Sequence, residues 1–232
     1  MTRGPIIAID GPAGAGKSTV ARHLAERFGL LNLETGAMYR AFALKAILGD
    51  EDFDDAAALE RLAAATTVTL EPGRAGNRVF LDGADVTERI RDSDVTQGAS
   101  RVSVHPAIRA WMVRLQQELG RAGGVVMEGR DIGTVVFPDA DVKVFLDASP
   151  DVRSQRRYEQ NAPPGADPTA ISRELHERDE RDRKRANSPL QPAADAVTID
   201  STAMPLDAVL AQIEDLVRSH CPGLTPSDAA RD

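Results

Sequence analysis

The sequence predicts an α/β fold: a parallel sheet covered by helices on both faces, with a small inserted lobe containing β-hairpin structure and a helical, arginine-rich lid. Three observations lead there. Short continuous runs of Val, Ile and Leu alternate with helical patterns, as strands buried on both faces require. The middle of the chain breaks that rhythm with period-two alternation around glycine-rich turn signals. Late in the chain "RDERDRKRAN" (178–187) gathers four arginines and one lysine among three acids, with almost nothing apolar.

In chain order, "PIIAID" (5–10) reads as a buried strand and "STVARHLAERF" (18–28) as a helix. "LLNLE" (30–34) reads as a second strand, and "GAMYRAFALKAIL" (36–48) as a strongly amphipathic helix. "ATTVTLEPGRAGNRVFLDGADV" (65–86) turns at "PGRAGN" and "DG", so it reads as a hairpin or small meander. A long helix follows in "HPAIRAWMVRLQQEL" (105–119). "VVME" (125–128), "VKVFLDA" (142–148) and "AVTIDS" (196–201) supply further strands, interleaved with helices near 150–161 and 205–219. "NAPPGADP" (161–168) reads as a hinge-like loop and "CPGLTPSDAARD" (221–232) as a frayed tail. The expected organisation is one domain over 4–220. Its core takes 4–36, 105–155 and 190–220, its inserted lobe 36–104 and its lid 156–188.

The bulk numbers narrow the function. Of 232 residues 42% are hydrophobic and 4% aromatic, enough for a core filled by aliphatic side chains. A net charge of −8 makes the chain a poor non-specific partner for nucleic acid or an anionic membrane, so its basic residues matter where they cluster. Cys221 is the one cysteine, which excludes an intrachain disulfide and a thiolate metal cluster and fits a reducing compartment. The early apolar run "PIIAI" is too short for a signal-peptide core or a membrane span. The expectation is a cytoplasmic monomer acting on small molecules, without nucleic acid or membrane.

"GPAGAGKST" (11–19) matches G-x-x-x-x-G-K-[ST] between a strand and a helix. Gly11, Gly14 and Gly16 let the loop, with Pro12, Ala13 and Ala15, turn successive N–H groups inward around a phosphate at the positive end of the helix. Lys17 reaches the β- and γ-phosphates, Ser18 offers a hydroxyl to Mg²⁺, and Thr19 completes the motif. An Asn-Lys-x-Asp segment for guanine is absent. Glu128 ends a strand-like run and is placed either for a metal-bound water or as a surface acid.

A second ligand is indicated by "ETGAMYR" (34–40), where Thr35 is placed to cap a helix and Arg40 lies near the C-terminal edge of the sheet. In "EGRDIGTVVF" (128–137), donor-only Arg130 and acceptor-only Asp131 share one tight turn, either as ligand groups or as a local salt bridge. "GASRVSVHPAIR" (98–109) supplies Ser100 and Arg109, which on sequence alone fit a surface equally well.

The helix over about 168–186 has Ile171 and Leu175 early and no apolar stripe afterwards, so no core holds it. Glu174–Arg178, Glu177–Arg181 and Arg178–Asp182 are i,i+4 pairs that keep it helical. Arg178, Arg181 and Arg185 fall close to one face, and Arg153, Arg156 and Arg157 cluster on the preceding helix. Arginines collected around a mobile segment beside a phosphate loop suit closure over polyphosphate.

Taken in this order, "GPAGAGKST", "TGAMYR", "EGRDIGTVVFPDA" and "RDERDRKRA" resemble the bacterial cytidylate kinases, a family of P-loop nucleoside monophosphate kinases. The likeness spans about 4–217, nearly the whole chain. It implies phosphorylation of CMP and dCMP from MgATP, with ATP as co-substrate and Mg²⁺ as cofactor. It places the 11–19 loop, Lys17 and Arg157 on ATP. Thr35, Arg40, Ser100, Arg109, Arg130, Asp131, Asp182 and Arg185 fall on the monophosphate. Ser100, Arg109 and Asp131 face the base, Asp182 accepts from a ribose hydroxyl, and Lys17, Arg130, Arg178 and Arg185 serve the transfer. Glu34 and Glu128 stand where the family usually has Asp, keeping the charge and lengthening the reach. Two rival readings are a P-loop kinase for another phosphate acceptor and a non-catalytic nucleotide-binding regulator.

Overall fold

The computed structural model describes residues 3–71, 76–161 and 167–226. Its centre is a five-stranded parallel sheet in the order β2-β6-β1-β7-β8. The strands are β1 (Ile6–Asp10), β2 (Leu31–Glu34), β6 (Val125–Gly129), β7 (Val142–Asp147) and β8 (Val197–Asp200). β1 and β6 are buried along their whole length, which is why each opens on an apolar run before the buried acids Asp10 and Glu128. Successive side chains leave on opposite faces. Ile6 and Ala8 enter one apolar cluster and Ile7 and Ile9 the other.

α1 (Lys17–Phe28) and α8 (Leu206–His220) cover the second face through Val20, Leu24, Phe28, Val209, Ile213 and Val217. The first face is covered by α2 (Thr35–Leu48) and α5 (Pro106–Gly120), joined by α3 (Ala56–Ala64) and α4 (Ser93–Val102). A separate antiparallel sheet, β3 (Val68–Glu71), β4 (Arg78–Leu81) and β5 (Ala84–Asp85), realises the expected meander. Its inward residues Val68, Leu70, Val79 and Leu81 join the same cluster as Ile6 and Ala8, so the insert shares the core of the main sheet.

That sheet corrects one expectation. α2 is not an amphipathic surface helix. Ala41, Phe42, Ala43 and Leu44 are buried in succession because α4 and the β3–β4 hairpin cover the sides that the main sheet leaves open. Neither α3 nor α4 is visible as a helix in the hydrophobic pattern. Asp55 caps α3 by accepting from the Ala58 N–H at 2.9 Å. α4 buries small residues, Gly98, Ala99 and Ser100, against α2 and the ring of Phe53.

α6 (Pro150–Asn161) and α7 (Pro168–Lys184) pack against each other where the lid was expected, and most of the expected hinge loop lies outside the described residues. The same is true of most of the "PGRAGN" turn and the end of the tail. Among the described residues no helix is long and apolar enough to cross a membrane.

Candidate active site

The register of the sheet brings three carboxylates to one edge. Asp10 ends β1, Glu34 ends β2 opposite Glu128, and Gly129 of β6 lies beside Asp10. This is the C-terminal edge, where open α/β sheets bind ligands.

From Asp10 the chain turns through the glycine-rich loop into α1. Gly11, Gly14 and Gly16 all have positive φ, at 147°, 78° and 97°. At Gly11 the close approach is decisive as well, since a Cβ there would stand 2.0 Å from the Leu146 carbonyl oxygen. Gly16 is the N-cap of α1, with no side-chain cap bond and no acid in the first turn, so the leading N–H groups stay open to an anion. Lys17 is buried and donates to the Pro12 carbonyl at 2.7 Å. Burial, reinforced by the charge of Arg130, lowers its ammonium to about 7. Ser18 and Thr19 are exposed in the first turn, and the Ser18 hydroxyl donates to Glu128 Oε1 at 2.7 Å.

The loop is held from behind. Arg153, almost fully buried, donates to the carbonyls of Ala148 at 2.9 Å and Ala13 at 3.0 Å, and pairs with Asp179 of α7 at 2.6 Å. Arg156 donates to the Ala15 carbonyl at 3.4 Å and to the Ser201 hydroxyl and carbonyl at 3.0 and 2.9 Å. Of the three arginines expected to close over polyphosphate, these two therefore pin backbone instead. Arg157 differs: it lies close enough for its charge to act on Arg40 and Arg178.

Thr35 does not cap α2. The N-cap is Glu34, without a side-chain bond, and the Thr35 hydroxyl donates across to the Glu128 carbonyl at 2.8 Å. Burial raises the Glu34 carboxyl, and the charge of Glu128 raises it further. Arg40 is held low by burial against the opposing pull of Glu34 and Glu128, and its buried Nε has no hydrogen-bond partner.

The turn after β6 is fixed by a residue that the sequence reading did not single out. Asp10 accepts from the N–H groups of Ile132 and Gly133 at 2.8 and 2.7 Å, and burial pushes its carboxyl up to about 6. The signal was its position directly before the glycine loop. With the turn so held, Arg130 and Asp131 diverge rather than pairing with each other. Arg130 Nε donates to Asp182 Oδ2 at 2.9 Å, reaching the lid. Asp131 pairs with Arg109 in a buried contact, and the Arg109 guanidinium lies 5.8 Å from the ring centre of Tyr39. Tyr39, also missed, carries a buried hydroxyl with no partner, and burial pushes it up to about 12.

α7 is held without an apolar stripe. Leu175 is buried, and beyond it the helix is held down by Asp179 on Arg153 and Asp182 on Arg130. Of the expected i,i+4 pairs, Glu177–Arg181 stands at 4.0 Å, while Glu174 accepts from Gln97 of α4 at 3.2 Å. Asp182 faces Arg130 and Arg185 instead of closing the pair with Arg178. Arg185 lies past the helix as its C-cap, donating to Ser188 O at 2.7 Å and Asp182 Oδ1 at 3.3 Å, with Nη2 buried and unpartnered. The buried Nε of Arg178 likewise has no partner, and burial with the nearby Arg130 charge lowers it to about 10. Burial alone would raise Asp182. The guanidiniums of Arg130, Arg178 and Arg185 outweigh it and hold the carboxyl below its usual range. Ser100, buried in α4, accepts from Nε of Arg181 on α7 at 3.0 Å.

Lys17, Arg40, Arg130, Arg178 and Arg185 thus converge on one end of the sheet, and three of them carry buried N–H groups without partners. Such groups are costly unless an anion completes them. A family model described as cytidylate kinase matches residues 7–219. The chain belongs to the cytidylate kinase family. It is 54% identical over 216 residues to a cytidylate kinase of Pelotomaculum thermopropionicum, covering 92% of this chain and 96% of that protein. A cytidylate kinase of Solibacter usitatus is 50% identical over 219 residues, with 93% of each chain covered. One of Shouchella clausii is 45% identical over 222 residues, covering 95% of this chain and 99% of that one.

Proposed function

We propose that this site transfers the γ-phosphoryl group of ATP to CMP or dCMP, giving CDP or dCDP and ADP. The single observation that carries this reading is the convergence of Lys17, Arg40, Arg130, Arg178 and Arg185 with unpartnered buried guanidinium N–H groups. Two polyanions meeting there would complete those groups.

ATP phosphates lie on the 11–19 loop and the open first turn of α1, with Lys17 at the β- and γ-phosphates and Arg157 on the same nucleotide. The α-phosphate of CMP is held by Arg40, Arg130 and Arg185, beside Thr35. An oxygen of that phosphate, already anionic, attacks the γ-phosphorus in line, and ADP leaves. The nucleophile needs no strong general base, and two of the four histidines are engaged elsewhere, His23 with Glu214 and His105 with the Phe53 carbonyl. Lys17, Arg130, Arg178 and Arg185 absorb the charge that spreads over the equatorial oxygens.

Mg²⁺ suits the oxygen pair at the loop. Ser18 Oγ and Glu128 Oε1 are hard donors already in contact at 2.7 Å. Among the described residues no group of three or more His, Cys, Asp or Glu is arranged to hold a metal. Held at the loop by Ser18 and Glu128, the ion would supply positive charge to offset the charge of the phosphates.

Cytosine presents an amino donor beside the acceptors N3 and O2, so acceptor-only Asp131 meets the amino group while Arg109 donates. Uracil reverses this pattern. Asp182 accepts from a ribose hydroxyl. The reading extends to a monomer working in the cytoplasm on small molecules, without nucleic acid. An ADP-release assay against CMP, dCMP, UMP, AMP and GMP tests the reading. CMP and dCMP should lead UMP by orders of magnitude, as mismatched buried polar groups dictate. Equal turnover of UMP would remove the base assignment. ATP binding without ADP formation on any acceptor would make the protein a nucleotide-binding regulator.

A further inference from the structure

We infer that Arg181, on the α7 helix, biases the Ser100 hydroxyl towards donating and so favours cytosine over uracil. The inference rests on the proposed placement of Ser100 against the base and adds a residue from a different element to that contact.

A serine hydroxyl has one hydrogen and two lone pairs, so alone it serves either a donor or an acceptor by rotating. Facing N3 of a pyrimidine it would be permissive, donating to cytosine N3 or accepting from uracil N3–H. Ser100 is not alone. It is 3% exposed, and its oxygen accepts from Arg181 Nε at 3.0 Å. Arginine has no acceptor, so the direction of this bond is fixed. One lone pair is occupied, and the adjacent positive charge makes the hydroxyl a stronger donor and a poorer acceptor. The neighbouring Ser103 hydroxyl donates to the Ser100 backbone carbonyl at 2.9 Å and makes no claim on the Ser100 hydroxyl. Ser100 is left with a hydrogen to give and one weakened lone pair, which favours cytosine N3 over uracil N3–H.

The geometry also ties this choice to the position of the lid. Arg181 belongs to α7 and Ser100 to α4, and the same two helices meet again where Gln97 donates to Glu174 at 3.2 Å. Discrimination at Ser100 therefore requires α7 to be seated on α4. Asp131 needs no such help, because its partner Arg109 comes from α5. Arg181 is a positioning residue, acting on the base through Ser100.

The test is kcat/KM for CMP and for UMP in the full-length protein and in the Arg181→Met, Ser100→Ala and double variants. Arg181→Met should raise the UMP-to-CMP ratio about five- to tenfold, the worth of one hydrogen bond that has regained both directions. In the Ser100→Ala background the same substitution should change both substrates alike. An Arg181→Met ratio equal to that of the unmodified protein, with Ser100→Ala shifting it, would overturn the inference and leave Arg181 as a lid contact only. A ratio untouched by Ser100→Ala would instead remove the placement of Ser100 on the base, a separate failure. Two further variants cover a poorly folding Arg181→Met. Arg181→Lys, still donor-only, should keep the ratio within about twofold. Arg181→Gln, whose amide can also accept, should raise it, and equal ratios for the two would count against the inference.

Discussion

Nucleotide binding should pull a proton onto Lys17. In the free protein burial and the charges of Arg130 and Arg178 lower its ammonium to about 7, against the support of Glu128 and Asp10. At pH 8 roughly a tenth of Lys17 is then charged. Phosphates on the loop supply the missing negative charge and restore the ammonium, so binding should take up about 0.9 proton per site at pH 8 and about 0.5 at pH 7. A proton carried by the analogue's own terminal phosphate is the same for both proteins, so the difference from Lys17→Met isolates the lysine. Titration calorimetry with a non-hydrolysable ATP analogue, in buffers of different ionisation enthalpy, reads the proton count as a slope. Lys17→Met should lose the lysine's share of it. No uptake by the unmodified protein, or equal uptake by Lys17→Met, would refute the reasoning. The same shift governs stability. The folded value lies below the ordinary 10.5, so the unfolded chain holds more protons between about pH 7 and pH 10.5. Stability from this group therefore rises with pH across that window, and below it the penalty is constant. Lys17→Met should accordingly stabilise the free protein at pH 6.5 by roughly 2–4 kcal/mol while destroying transfer.

Three further outcomes follow from named contacts. Asp182→Ala leaves Arg130 and Arg185 facing each other without their shared carboxylate, a loss of about 3–5 kcal/mol and roughly 6–15 °C in melting temperature; an unchanged melting curve would show that the network is not holding the lid. Gly11→Ala, with its Cβ placed 2.0 Å from the Leu146 carbonyl, should lose ATP binding and several kcal/mol of stability, about 3 or more, in chemical denaturation; ordinary ATP affinity would contradict the loop geometry. Arg185→Lys keeps the charge but loses the planar fork, so kcat should fall by about tenfold or more, whereas Arg183→Ala, exposed on α7, should be nearly silent in the same assay; equal effects would make the segment a diffuse charged surface.

The main sheet was legible because both its faces are buried, which gives β1 and β6 apolar openings, IIAI and VVM, before each strand ends in polar or small residues at the ligand edge. The phosphate loop was legible because Gly11, Gly14 and Gly16 hold backbone angles that other residues rarely adopt. α2 was misread because the apolar run "AFAL" was assigned one face, while the meander and α4 cover the others. α4 itself was hidden because Gly98, Ala99 and Ser100 bury little apolar surface, so their burial leaves no hydrophobic period. Spacing showed that Arg153, Arg156 and Arg157 share a helix, but not that two of them would meet carbonyls of the phosphate loop. The same limit applied to Asp10, Thr35 and Arg181, whose partners are 122, 93 and 81 residues away in sequence. A carboxylate or hydroxyl carries no sequence mark of which distant backbone group it will hold.

The central claim is direct in-line transfer from ATP to CMP over one cationic cluster, with no protein group taking the phosphoryl in between. Its most direct test is the configuration of the transferred phosphorus, using ATP made chiral at the γ-position with oxygen isotopes and sulfur, and CMP as acceptor. The account predicts labelled CDP with inverted configuration at the β-phosphorus. Retention would mean two displacements and a phosphorylated protein intermediate, and would contradict the account.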